Sequence, residues 1–163
     1  MSNIINIGIT AHVDAGKTSI TENILYQAGV IRTKGSVDSG TAVTDSLEIE
    51  RKRGISVKAA SASFTWNNIS INLIDTPGHA DFTAEVERCL TVLDAAILVV
   101  SAVEGVQSHT YALWDALQSM NIPTIIVVNK IDRQGADFIN VIEELKSELK
   151  INNATKIDKT LMV

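Results

Sequence analysis

The chain has 163 residues, 45% of them apolar and 4% aromatic, with a formal charge of −5 (14 basic residues against 19 acidic). That size suits one domain with an aliphatic core. The acidic balance argues against a broad nucleic-acid surface. A single cysteine, Cys89, rules out a disulfide framework within the chain and suits a reducing cytoplasm. No apolar run approaches the ~18 residues of a membrane span, and no basic-then-apolar leader is present.

The run "IINIGIT" (Ile4–Thr10) is short, apolar and β-branched, which predicts a buried strand. Lys17–Ala28 carries Ile20, Ile24, Leu25 and Ala28 at helical spacing, and Gly29 is a stop signal. The following stretch, Val30–Ser56, has no clear period, and a connection that long is usually functional. "VKAASASFTW" and "ISINLID" predict two strands joined by a tight Asn67-Asn68 turn.

After "TPGH", Ala80–Leu93 predicts a helix with Phe82, Val86, Leu90 and Leu93 on one side. "AAILVVSA" predicts a strand, Ser108–Met120 a helix and "TIIVVN" a further strand. Asp137–Leu149 predicts an amphipathic helix with Phe138, Val141, Ile142, Leu145 and Leu149 inward. Strands alternating with helices imply an α/β fold, a mostly parallel sheet with helices on both faces and one antiparallel hairpin. Ligands of such sheets bind at the carboxyl ends of the strands.

Three boxes fall at those ends. "AHVDAGKT" fits the phosphate-loop pattern, with Ala11 in place of the first Gly. The backbone N–H groups around Asp14, Ala15, Gly16, Lys17, Thr18 and Ser19 would cradle phosphate at a helix N-terminus. Lys17 would reach the β- and γ-phosphates, and the Thr18 hydroxyl would bind Mg2+. A plain strand–turn–helix with a chance GKT is the competing view, and the flanking strand and helix argue against it.

"DTPGH" places Asp75 to hold Mg2+ through water and Gly78 to offer an N–H to the γ-phosphate, although the same residues also suit an ordinary turn. "NKID" places Asp132 to accept two hydrogen bonds from guanine, with Asn129 and Lys130 shaping the pocket. In "RKRGIS" the arginines suit a solvated basic turn, while the Ser56 hydroxyl could complete the Mg2+ shell.

"NIGITAHVDAGKTS", "RGIS", "DTPGHADF" and "NKIDR" together resemble the GTPase domain of translational GTPases. Within that family the chain most resembles the tetracycline-resistance ribosomal protection proteins, with elongation factor G next. The resemblance covers about residues 3–150. It implies a P-loop GTPase fold, a cytoplasmic, ribosome-stimulated GTPase, GTP and GDP as ligands, and tetracycline release by the whole protein.

It also implies roles at particular positions. Asp14 would help bind a monovalent cation. Lys17, Gly78 and His79 would serve catalysis, His79 by orienting the attacking water. Val30–Ser56 and Thr76–Leu93 would be the switches. His12 and His109 are expected to be structural or surface residues, Cys89 a buried thiol, and Trp66 and Trp114 core or edge packing.

Departures from the family pattern carry expectations too. Ser19 and Ser56 stand where the family has Thr. No Ser-Ala guanine box follows in the 31 residues after Asp132. Residues 1–163 are therefore expected to be one GTP-binding domain at the N-terminus of a larger protein, cut before its last strand. Weakened nucleotide affinity and self-association through an exposed "TIIVVN" edge would follow. The rival functions are a translocation factor, a non-hydrolysing nucleotide-binding module and a P-loop ATPase or kinase. Asp132 argues against the last, because its carboxylate meets no matching donor pair on adenine.

Overall fold

The computed structural model describes residues 4–31, 60–76 and 88–151. In chain order the elements are β1 (Ile4–Ala11), α1 (Lys17–Gln27), β2 (Ala60–Trp66), β3 (Ile69–Asp75), β4 (Ala95–Ser101), α2 (Ser108–Ser119), β5 (Thr124–Asn129) and α3 (Phe138–Glu148). The five strands form one sheet in the order β2-β3-β1-β4-β5. β1 runs parallel to both β3 and β4, and β4 parallel to β5. Only β2 is antiparallel, paired with β3 through the expected hairpin. Asn67 and Asn68 both adopt positive φ (46° and 66°), the backbone of a two-residue turn that follows the natural twist of the strands.

The alternation along each strand divides the interior in two. Ile9, Ala11, Leu73 and Val99 pack on one face with Leu25 of α1. Ala96, Leu98 and Val100 point the other way, against Leu113 and Leu117 of α2 and Val141 and Leu145 of α3. Helices therefore cover both faces. That is why β1 and β4 are continuous apolar runs and not alternating ones.

α1 buries Lys17, Thr21 and Leu25, one turn apart. Thr21 Oγ1 donates to the Lys17 carbonyl at 3.1 Å, so its polarity is met within the helix. The helix ends as its sequence predicts. Gly29 takes φ 73°, its N–H reaches the Tyr26 carbonyl, and Val30 N–H reaches that of Leu25.

Three expectations need correction. The helix before β4 stops at Leu90, and Thr91 and Val92 form a turn. Thr91 Oγ1 bonds the Arg88 carbonyl there, and Asn6 takes the exit by donating Nδ2 to the Val92 carbonyl at 2.9 Å. Tertiary capture of Val92 thus ends the helix sooner than periodicity suggests. Phe138 is exposed: Val141, Ile142 and Leu145 of α3, with Leu149 just after it, face the core, and Phe138 opens the helix beside solvent-facing Ile139. Cys89 is half-buried, on the last helical turn two residues before Thr91. Trp66 is half-exposed at the end of edge strand β2, whereas Trp114 is half-buried and donates its indole N–H to the Leu149 carbonyl.

β5 is an edge strand among the described residues, and its Ile125 is 60% exposed while Leu98 of the neighbouring β4 is fully buried. No described helix is long and apolar enough to cross a membrane. Leu98→Ala should cost about 2–5 kcal/mol in urea unfolding, and Ile125→Ala less than about 1 kcal/mol.

Candidate functional site

β1 lies between β3 and β4, so the chain leaves its carboxyl end first toward one side of the sheet and later toward the other. Parallel sheets open a ligand crevice at such a point. Ala11, Asp75, Ser101 and Asn129 end the four parallel strands there. Ala11 itself is an ordinary, fully buried ladder residue paired with Val99. It does not need positive φ, so the loss of the usual Gly is accommodated.

The turn begins one residue later. Ala15 N–H donates to the His12 carbonyl at 3.3 Å, with Asp14 left-handed at φ 63°. Gly16 is left-handed too, at φ 91°, and immediately precedes α1. A Cβ at Gly16 would collide with the Asn129 amide, so the position excludes side chains on two counts. α1 then starts with no side-chain cap and no acidic residue in its first turn. Its first N–H groups and the positive end of its dipole face the crevice, the arrangement that accepts an anion. α3, in contrast, is capped by the Asp137 carboxylate, which accepts from Asn140 N–H at 3.0 Å.

Two charges converge behind this opening. Lys17 Nζ, at the start of α1, donates to Asp75 Oδ1 at the end of β3. Both side chains are buried, at 8% and 2% exposure. Buried pairs like this seldom out-stabilise an apolar replacement, so stability alone does not account for this one. Thr76, next to Asp75, is fastened to β1 twice: its N–H and its hydroxyl both reach the Ile9 carbonyl, at 3.1 and 2.8 Å. The carboxylate is therefore held rigidly against the phosphate loop.

The third box closes the site from the other side. Asn129 Nδ2 donates to the Ala15 carbonyl at 2.9 Å, so this residue of the expected guanine pocket also braces the phosphate loop. Lys130 turns left-handed (φ 60°), and Asp132 follows on an exposed turn closed by Arg133 N–H to the Lys130 carbonyl. Thr18 is half-buried and Ser19 exposed on the first turn of α1. The oxygen donors Asp75 and Thr18 suit a hard divalent cation such as Mg2+. Ser56, Gly78 and His79 lie outside the described residues, as does most of Val30–Ser56.

One contact went unread in the sequence. His12 is buried, its Nε2 lies 3.1 Å from Glu104 Oε2 and its Nδ1 lies 3.4 Å from Thr110 Oγ1. Glu104 feels opposing influences. Partial burial pushes its carboxyl up, but hydrogen bonds from His12 and Ser101, with the charge of Lys130, outweigh it and hold it below the usual value. The only signal in sequence was a histidine inside the loop and an acid in "VEGVQ", 92 residues apart.

Residues 2–162 match the family described as the elongation factor Tu GTP binding domain. The chain belongs to that family. It is 61% identical over 149 residues to a tetracycline resistance protein, TetP, of Clostridium perfringens, covering 91% of this chain and 23% of that protein. It is 56% identical to an oxytetracycline resistance protein of Streptomyces rimosus, over 90% of this chain and 22% of the relative. A crystal structure of a protein from Thermus thermophilus superposes with a TM-score of 0.84 at 33% identity, over 90% of this chain and 22% of that one. The chain thus spans less than a quarter of the length of these relatives.

Two outcomes check the site. Gly16→Ala should lower stability by about 1–3 kcal/mol and abolish retention of labelled GDP in a filter assay. Because the Glu104 carboxyl is held low, its contribution to stability is present at neutral pH and lost as pH falls through that lowered value. The melting-temperature gap between wild type and Glu104→Ala should therefore narrow on acidification through the carboxylate range.

Proposed function

We propose that this chain binds and hydrolyses GTP as the catalytic domain of a ribosome-dependent translational GTPase whose whole form releases tetracycline from the ribosome. The observation that carries the reading is the buried Lys17–Asp75 pair, set at an uncapped helix N-terminus and braced by Asn129. The tetracycline resistance relatives support the cellular role over that of a translocation factor.

In this reading the N–H groups of Asp14–Ser19 hold the phosphates, and Lys17 leaves Asp75 to meet the β- and γ-oxygens. Thr18 and Asp75, with Ser56, would hold Mg2+, which when bound would neutralise phosphate charge. Asp14 helps bind a monovalent cation. Gly78 offers a backbone N–H to the γ-phosphate and His79 orients the attacking water. Such catalysis is mostly positioning and charge stabilisation, so His79 need not be a strong base. Asp132 selects guanine, with Asn129 and Lys130 fixing the turn that presents it. The cytoplasm and the ribosome follow as the setting and partner of the whole protein.

Displacement of a fluorescent GDP analogue, with magnesium, tests the reading. GTP and GDP should compete and ATP should not. Asp132→Asn should move the preference to XTP, because the amide pairs with the second ring carbonyl that xanthine carries. Competition by ATP equal to that by GTP would contradict it.

A further inference from the structure

Outside the expected nucleotide contacts, one polar cluster is built from parts remote in sequence. His12 lies inside the phosphate loop, two residues before the left-handed Asp14. Glu104 and Thr110 belong to the β4–α2 connection and the first turn of α2. The hydrogen bonds form a directed chain. Gln107 N–H donates to Thr110 Oγ1 at 3.2 Å, and the Thr110 hydroxyl is then placed to donate to His12 Nδ1. That leaves the other ring nitrogen protonated, and Nε2–H donates to the Glu104 carboxylate. One tautomer satisfies every partner.

The connection carrying Glu104 is itself anchored. Ser101 Oγ accepts from Val103 N–H and Glu104 N–H at 3.2 and 3.3 Å. On the other side, Glu144 of α3 accepts from Val106 N–H at 3.1 Å and packs against Gly105 so closely that a Cβ there would strike it. Glu104 is thus a fixed post, and His12 is tied to it. On the solvent side the tie borders a pocket of about 360 Å3 lined by His12, Val13, Glu104, Gln107, Ser108 and His109.

We propose that His12 is a positioning residue, held between Thr110 and Glu104, that keeps the phosphate loop in its gripping conformation and so slows nucleotide release. The inference rests on the nucleotide-binding reading above. The physical reason is that the loop conformation is not intrinsically favoured. It needs a left-handed Asp14, which costs free energy relative to ordinary backbone. The turn that accommodates Asp14 is closed by Ala15 N–H on the His12 carbonyl. Asn129 fixes the far end of that turn at Ala15, and the histidine tie fixes the near end. With the near end released, the loop relaxes and phosphate contacts open more often.

The test is stopped-flow release and association of N-methylanthraniloyl-GDP with magnesium, on the wild-type chain, Glu104→Ala, Glu104→Gln, His12→Ala and the double alanine variant. Both single alanine variants should release the nucleotide about tenfold faster, the order expected for losing a hydrogen bond to a charged group. Association should stay within about twofold of wild type, and the double variant should be no faster than the faster single variant. Glu104→Gln, which keeps an acceptor oxygen, should recover most of the slow release. Thermal melts by circular dichroism verify folding, and Glu104 is 39% exposed, so its truncation leaves the core intact even if His12→Ala does not fold. Wild-type release rates in folded Glu104→Ala, or multiplicative effects in the double variant, would overturn the inference alone. Failure of the wild-type chain to bind the nucleotide would overturn the nucleotide-binding reading, and this inference with it.

Discussion

The buried Lys17–Asp75 pair is the constraint around which the site is arranged. Two charges removed from water are tolerable only when each finds the other at close range. That condition fixes the start of α1 against the end of β3, although 58 residues separate them. β1 must then lie between them as the rigid spacer, and it does, paired with β3 from Ile4↔Ser70 to Ile9↔Asp75. The two hydrogen bonds from Thr76 to the Ile9 carbonyl extend that register one residue beyond the ladder. A slip of one residue would turn the Asp75 carboxylate to the opposite face of the sheet. The register of the central strands is therefore a condition for the ion pair as well as for the core.

Holding the charges is not sufficient, because an anion site also needs backbone N–H groups turned toward one point. The phosphate loop achieves this with left-handed residues at Asp14 and Gly16, a shape that a free chain rarely adopts. Its two external braces come from opposite directions. Asn129 reaches it from the end of β5, and His12 is held from the β4–α2 connection. The proposed guanine box and the phosphate loop are thus joined by a side chain before any base is considered. Asn129 cannot be judged by a role in base recognition alone, since its loss also frees the Ala15 carbonyl.

Much of this was legible in the sequence. β-branched apolar runs marked β1, β4 and β5, the Asn67-Asn68 pair marked the hairpin, and Gly29 marked the end of α1, because each is a local preference acting over a few residues. The three boxes were legible for the same reason: their spacing is short and their backbone demands are specific. What escaped was non-local. The helix before β4 stops at Leu90, where Asn6 captures the Val92 carbonyl from 86 residues away. Phe138 has the right spacing for the core but sits at the opening of α3. His12 looked like an unremarkable loop residue, because its partners Glu104 and Thr110 are brought to it only by the parallel crossover.

The division of the interior explains why these parts need one another. One apolar cluster joins α1 to β1, β3 and Val99 of β4 on one face, and a second joins α2 and α3 to Ala96, Leu98 and Val100 of β4 and to partly buried residues of β5 on the other. The sheet links them by backbone pairing, but the chemistry sits above the seam. Lys17 and Asp75 belong to the first half, and Asn129, Lys130, Asp132 and Glu104 to the second. A nucleotide that touches phosphate groups on one side and a base-recognising turn on the other must bridge both halves. Any ligand that binds only the assembled arrangement stabilises it by mass action. The expected gain is then largest at the seam, where the phosphate loop is otherwise held to the second half by Asn129 and the His12 tie.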